Sequence, residues 1–402
     1  MNYITKETLM IAILVLILII IGMYVYANFL NIDNDNLKNM KDISKNSWTR
    51  TQCIYDVGQT YLDIFKNNSI EQDNKNWNIC LPCTYDNTQL EIDNMTEKKD
   101  AKYFIISNCD NMTAKNWLWK NVYEYYGREK AETMMPKTYL LFEQEDLKRF
   151  ENDYRKDKLY IMKKNIQRQE GIKITNNLEE IKKGIESEFV IVQDLIQNPY
   201  IINGRKTNMR FYVLIVCKSG DISVYVHKDG FMYYTKDMFI KNSPNEGPNI
   251  TTGYIDREIY KENPLTHYDL REYLDKNDRI LSSMERHLKL RGGKLSSIYF
   301  SRIYKLLSDI FTAFIGKICN GEKLYNNVTF QLFGIDIAMN DNYNPMIMEV
   351  NKGPDMEAKD ERDSNLKHKV VQDIMQIINV AEGDNDFIQV LDYKDGEIVT
   401  AL

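Results

Sequence analysis

FQLFGIDIAMNDNYNPMIMEVNKGPD, residues Phe330 to Asp355, holds two short apolar runs joined by a polar turn. The first run, Phe330 to Met339, contains a single acid, Asp336; the second, Pro345 to Val350, carries Glu349 and leads into Asn351. Side chains of a strand alternate between faces, so Glu349 and Asn351 point the same way. Asn340–Asn344 has the composition of a hairpin turn, which places Asp336 on the neighbouring strand. Three oxygen-bearing side chains then converge from paired strands. Hard oxygen ligands of this kind suit Mg²⁺ carrying nucleotide phosphates. The competing expectation is a pair of strand-end acids that face water.

Outward from this stretch, the chain has 402 residues, enough for one large or two to three ordinary domains. Hydrophobic residues make up 43%, which permits a sizeable core and excludes wholesale disorder. A formal net charge of −6 argues against a nucleic-acid partner, which calls for a basic field. It also disfavours a strongly acidic polypeptide substrate unless a basic patch is local. The chain has no P-loop, no dinucleotide glycine fingerprint and no HExxH zinc motif. Only Cys80 and Cys83 show motif spacing among the cysteines. Without a second pair or a histidine cluster they read as plain thiols, or as a disulfide or redox pair, rather than as a zinc site.

Leu9 to Ala27 is an uninterrupted uncharged run. At about 1.5 Å per residue it spans about 28 Å, close to the thickness of a hydrocarbon core. No small-residue cleavage site follows, so an uncleaved N-terminal transmembrane helix is expected within an anchor of residues 1–30. The Lys/Arg balance places the remainder on the cytosolic side. A single-pass membrane protein follows, in a host or virion membrane. Residues 31–50 read as a tether and 51–155 as a smaller N-terminal region. Residues 156–385 follow an α/β pattern, with 386–402 as a C-terminal tail.

Within the α/β region, Tyr160–Lys163 is an expected strand that puts Lys163 before the loop Asn165–Gly171. A lysine there can hold phosphates as a point charge, with Gln167 and Gly171 in the loop beside it. Val190–Leu195 is an apolar strand ending near Gln193 and Leu195, where free backbone groups can read an adenine edge. Lys206, Asn208 and Arg210 share one strand face, and buried cations on that face need anionic partners. A solvated edge is the alternative. Arg286, His287, Lys289, Arg291 and Lys294 form a dense basic cluster, either a solvated helix end or an acceptor or lipid-headgroup contact.

Taken together, these segments resemble the tubulin-tyrosine ligase-like branch of the ATP-grasp ligases, from about residue 130 to residue 380. The family's W-I-x-K-P strand is similar to Tyr160-Ile161-Met162-Lys163-Lys164. Its V-x-Q-x-Y-I strand is similar to Ile191-Val192-Gln193-Asp194-Leu195-Ile196, and its G-R-K-F-D-[IL]-R segment to Gly204–Arg210. The F-E-L-F-G-x-D and L-E-V-N segments resemble Phe330–Asp336 and Met348–Asn351. The resemblance implies an ATP-grasp fold, two α/β lobes gripping ATP. Lys163 and Lys206 would hold phosphates, and Gln193 and the backbone near Leu195 would hold adenine. Asp336, Glu349 and Asn351 would hold one or two Mg²⁺, and Arg210 would position a carboxylate or acyl phosphate. The implied reaction is ATP-dependent amide formation between a free amino acid and a protein or peptide acceptor. Three positions depart from the family: Asn208 replaces its aspartate, Tyr233 stands where it has an arginine, and Thr252 replaces an asparagine. They support an alternative, a nucleotide-binding pseudoenzyme acting as a membrane-attached interaction module.

Overall fold

Long runs of β-branched and aromatic residues on either side of the Lys218–Asp221 turn form the two longest strands, and the other elements are laid against them. The computed structural model describes residues 46–166, 171–253, 255–276 and 293–402. In chain order its strands begin with β1 (Ser47–Arg50), β2 (Glu71–Gln72), β3 (Ile79–Leu81) and β4 (Lys102–Tyr103). Then come β5 (Thr138–Leu140), β6 (Tyr160–Lys163), β7 (Ile172–Thr175) and β8 (Ile191–Asp194). β9 (Ile201–Ile202), β10 (Arg205–Lys218), β11 (Asp221–Thr235) and β12 (Thr251–Thr252) follow. The last are β13 (Val328–Met339), β14 (Pro345–Lys352), β15 (Phe387–Lys394) and β16 (Glu397–Ala401). Strands β5 to β8 form a small antiparallel sheet in the order β5-β8-β6-β7. The other described strands form one large sheet whose main path is β16-β15-β11-β10-β13-β4-β3-β1-β2, with β14 paired to β13.

The centre of the large sheet is dry on both faces: Val213, Leu214 and Ile215 of β10 are fully buried. The helix Leu295–Thr312 supplies one cover, burying Tyr299, Ile303, Leu307 and Ile310 at helical spacing. Ile303, Leu307 and Ile310 each contribute about 1.5–3 kcal/mol by leaving water. The helix Glu361–Ile377 is capped by Asp360, whose side chain accepts from the Asp363 backbone N–H at 2.9 Å, and buries Leu366, Val370 and Ile374. The expected Asn340–Asn344 turn is present, and the Asn340 side chain closes it by accepting from the backbone of Asn342 and Asn344 at 3.0 and 2.9 Å.

The N-terminal region joins the same sheet. β4 pairs in parallel with β13, and Phe104 stacks on Phe330 at 4.7 Å between centroids. At the other end, the expected tail supplies β15 and β16. The Cys80–Cys83 motif is not a bonded pair: Cys83 is joined to Cys53 and Cys217 to Cys319, while Cys80 is a buried thiol that burial pushes up to about 12.

The membrane expectation is corrected. Among the described residues no helix is long and apolar enough to cross a membrane. The longest described helix, Leu295–Thr312, carries Arg302, Lys305 and Asp309 and spends its apolar face on the sheet. Residues 9–27, on which the transmembrane helix and single-pass placement rested, lie outside the described residues. The described fold therefore gives the anchor no support, and a membrane is withdrawn as a partner.

Gly230 sits opposite Phe211 in the β10–β11 ladder, where a Cβ would lie 2.2 Å from the Arg210 carbonyl oxygen and 2.6 Å from the His267 ring. Gly230→Ala is expected to lower stability by about 1–3 kcal/mol. A urea-unfolding midpoint equal to that of the parent would refute this.

Candidate active site

Strands β10, β13 and β14 place three charged residues in one cross-strand row: Arg210 is in register with Asp336, and Asp336 with Glu349. Arg210 Nε donates to Asp336 Oδ1 at 2.5 Å and Nη2 donates to Oδ2 at 3.0 Å, a largely buried bidentate pair. Asn351 Nδ2 donates to Glu349 Oε1 at 2.9 Å, so the expected same-face arrangement of these two residues holds. All four side chains line a cleft of about 660 Å³ that also takes walls from the small sheet.

Burial opposes ionisation of Glu349, but Lys115, the Asn351 hydrogen bond, Lys163 and Arg210 together outweigh it and bring the carboxyl down to about 2. Asp336 goes the other way. Burial, opposed by Arg210 and reinforced by Glu349, pushes it up to about 6. Lys163, the last residue of β6, is buried and lowered to about 8, chiefly by loss of solvent. Lys206 on β10 is lowered to about 8 by burial and by Lys163. Neither lysine forms an ion pair among the described residues. Two buried ammonium groups facing one cleft without a bonded carboxylate call for an anionic ligand.

Sequence reasoning missed Lys115. It opens the helix Lys115–Tyr126, and its Nζ lies 3.7 Å from Glu349 Oε2 and donates to the Ile166 carbonyl at 2.9 Å. A cation in the first turn of a helix opposes the helix dipole, and that was the available signal. Ile161, Ile172, Leu195, Ile196 and Met348 give the cleft an apolar end of the kind that accepts a flat ring.

The adenine expectations are divided by the geometry. Leu195 lines the cleft, and its backbone N–H is bonded to the Leu159 carbonyl at 3.2 Å. Gln193 is buried away from the lining residues. Its Nε2 donates to Thr138 at 2.8 Å, and its Oε1 has no partner among the described residues. Gln167 lies outside the described residues. Gly171 returns the chain at φ +69°, and its carbonyl accepts from the Lys164 N–H at 2.9 Å.

The opposite end of the cleft is polar. Asn208 lines it, and its Oδ1 is buried with no partner among the described residues. Tyr233 lies under the Arg210 guanidinium at 5.1 Å. Arg257, Lys359 and Lys367 also line this end. Arg257 pairs with Asp360, Lys367 Nζ lies 3.2 Å from Asp363, and Lys359 Nζ donates to the Gly253 carbonyl at 3.3 Å. Thr252 is buried in β12 opposite Tyr234. Of the basic cluster, Arg286, His287, Lys289 and Arg291 lie outside the described residues, and Lys294 is 4.0 Å from Asp275.

Among the described residues no group of three His, Cys, Asp or Glu side chains forms a metal site. The candidate set is two carboxylates and one amide oxygen. Oxygen-only donors, with Glu349 held ionised, fit Mg²⁺ shared with phosphates better than Zn²⁺.

A family model described as the tubulin-tyrosine ligase family matches residues 93–386. The chain is 25% identical over 280 residues to a probable beta-tubulin polyglutamylase of Tetrahymena thermophila, covering 67% of this chain and 23% of that protein. It is 24% identical over 291 residues to a probable tubulin polyglutamylase of Caenorhabditis elegans, covering 69% and 65% respectively. It is 26% identical over 234 residues to a tubulin glycylase of Drosophila melanogaster, covering 56% and 30%. The match thus spans less than two thirds of each of these relatives.

The folded chain keeps Lys206 protonated only below about 8, whereas the unfolded chain keeps it protonated to about 10.5. The unfolded state therefore binds more protons in that window, and stability rises with pH across it. Lys206→Met should stabilise the nucleotide-free protein at pH 7 by on the order of 2–3 kcal/mol. The gain should shrink as pH rises from about 8 toward 10.5. Urea unfolding across this range tests it; a pH-independent difference would contradict the assignment.

Proposed function

The chain belongs to the tubulin-tyrosine ligase family, within the ATP-grasp superfamily, and from that premise we propose that it is an ATP- and Mg²⁺-dependent carboxylate–amine ligase. It joins a free amino acid to a protein or peptide through an acyl phosphate. The observation that carries the proposal is one cleft lined by Lys115, Lys163, Lys206, Arg210, Asp336, Glu349 and Asn351. Lys163 from the small sheet and Lys206 from the large sheet hold the phosphates from two sides. Asp336, Glu349 and Asn351 would hold Mg²⁺, which would offset charge on the transferring phosphoryl group. The acceptor carboxylate takes the γ-phosphoryl group and releases ADP; the incoming amine then displaces phosphate and gives up a proton.

Arg210, held by Asp336 and Tyr233, positions the carboxylate. The partnerless Asn208 carbonyl is suited to accept a hydrogen bond from the amine. The relatives' names give tubulin as their protein substrate, with glutamate or glycine added; tubulin is therefore the first acceptor to test, with both amino acids.

A second reading, a nucleotide-binding protein without ligase activity, is favoured by Tyr233, which gives the substrate end a neutral ring where an arginine is the family's usual choice. ATP binding without ADP release across amino acids and acceptors would decide for it.

In calorimetric titrations the parent should bind Mg-ATP, and Glu349→Gln should weaken that binding at least about tenfold, or about 1.4 kcal/mol. Equal affinities would remove the nucleotide site from this row of residues.

A further inference from the structure

Three cations at the polar end of the cleft are each held between an acid and an aromatic ring. Arg210 gives Nε and Nη2 to Asp336 and lies 5.1 Å from the centre of the Tyr233 ring. Lys367 Nζ is 3.2 Å from Asp363 and 5.9 Å from the centre of Phe231. Arg257 Nε donates to Asp360 at 2.7 Å, and its guanidinium lies 4.8 Å from the centre of Tyr260. The arrangement follows from local spacing. Phe231 and Tyr233 stand two residues apart on β11, so both rings reach the cleft face. Asp363 and Lys367 are four residues apart on the helix Glu361–Ile377, both are buried, and they pair along it.

The remaining contacts of these cations are also taken. Lys367 Nζ donates to the Glu357 carbonyl at 2.5 Å. Lys359 donates to the Gly253 carbonyl at 3.3 Å and lies in the field of Asp355 and Asp363. Arg210 keeps Nη1 for the acceptor carboxylate that it positions. Among the described residues, no cation at this end lacks an acid or a carbonyl partner. A further carboxylate brought here would lose water close to Asp355 and Asp363, and would gain a cation only by breaking an existing pair. An uncharged side chain meets no such penalty. Every free amino acid brings the same amine and α-carboxylate, so those groups cancel when amino acids are compared.

We infer that the amino acid joined by this chain has an uncharged side chain, and that Tyr233 is a specificity-determining residue for that choice. The Tyr233 ring covers Arg210 with a neutral surface where an arginine would supply an uncommitted cation. Of the two amino acids in the relatives' names, glycine fits this end and glutamate does not. The inference rests on the ligase reading for why an amino acid enters the cleft, whereas the selectivity is read from binding alone.

The test is equilibrium dialysis of the full chain against radiolabelled glycine, glutamine and glutamate, each with and without Mg²⁺ and a non-hydrolysable ATP analogue. Glutamine matches glutamate in size and differs in charge. Glycine and glutamine should each bind at least about tenfold more tightly than glutamate. Tyr233→Arg should lower the preference for glutamine over glutamate at least about fivefold, and Tyr233→Phe, which keeps a neutral ring, should leave it as in the parent. Glutamate bound as tightly as glutamine by the parent overturns the inference without any variant. So does rejection of glutamine together with glutamate, which assigns the choice to size. An unchanged preference in a Tyr233→Arg protein that still binds the analogue removes Tyr233 from the role, and no binding of any of the three by a parent that binds the analogue also refutes the inference. Failure of the parent to bind the analogue instead refutes the ligase reading, because the ranking of amino acids is measured without nucleotide as well.

Discussion

A buried guanidinium–carboxylate pair, Arg210 with Asp336, stands where β10 meets β13, and the arrangement of the cleft follows from it. Breaking such a pair by removing one partner leaves a bare buried charge and costs about 3–5 kcal/mol. The pair therefore holds the register of the central strands and, through it, the position of Glu349 one strand further on. One arginine at the end of a row with two carboxylates does not neutralise it. The shortfall is met by Lys115 from one side, and it leaves oxygen atoms with spare capacity for a divalent cation. Lys163 and Lys206 show the opposite imbalance, with positive charge and no bonded acid. The cleft thus holds a row of matched charges on one side and, on the other, a buried lysine pair with no bonded acid among the described residues.

The shared placement of Asp336, Glu349 and Asn351 was legible because strand side chains repeat every two residues. Glu349 and Asn351 had to share a face, and a short polar turn had to bring Asp336 beside them. The Lys206–Asn208–Arg210 face followed from the same rule. Gln193 shows where the rule gives out. Val192 packs in the small-sheet cluster and Ile191 in the main core, so β8 is apolar on both faces and its spacing cannot say which side meets the cleft. Lys115 was hidden for another reason. It comes from the N-terminal region and meets Glu349 only through the fold. The cysteine pairing, with partners 30 and 102 residues apart, is equally a product of tertiary structure. β16 is exposed along its whole length and lacks the buried alternation that marks an inner strand, so local pattern alone left it as tail. Leu9–Ala27 illustrates a different limit: local hydropathy proposed a membrane span, and the described fold supplied none.

The substrate end departs from the family at single side chains while the sheet beneath it is kept. Asn208 and Tyr233 are cross-strand neighbours in the β10–β11 ladder. An amide in place of an acid and a ring in place of a cation change the charge of that patch in compensating directions. Exchanging only one of these facing positions would unbalance the patch.

The parallel pairing of β4 with β13 joins Lys102 to Val328. A ribosome making this chain exposes the first half of the sheet long before its partner strand exists. β4 must wait, with an unpaired edge, through more than half of synthesis, and loop closure over that span is slow. The arrival of β13 links β10 to β4, supplies Asp336 and brings its hairpin partner with Glu349 to the waiting Lys115. The cleft is thus completed late, and a nascent chain stopped before residue 336 has Lys115, Lys163, Lys206 and Arg210 without Asp336, Glu349 and Asn351.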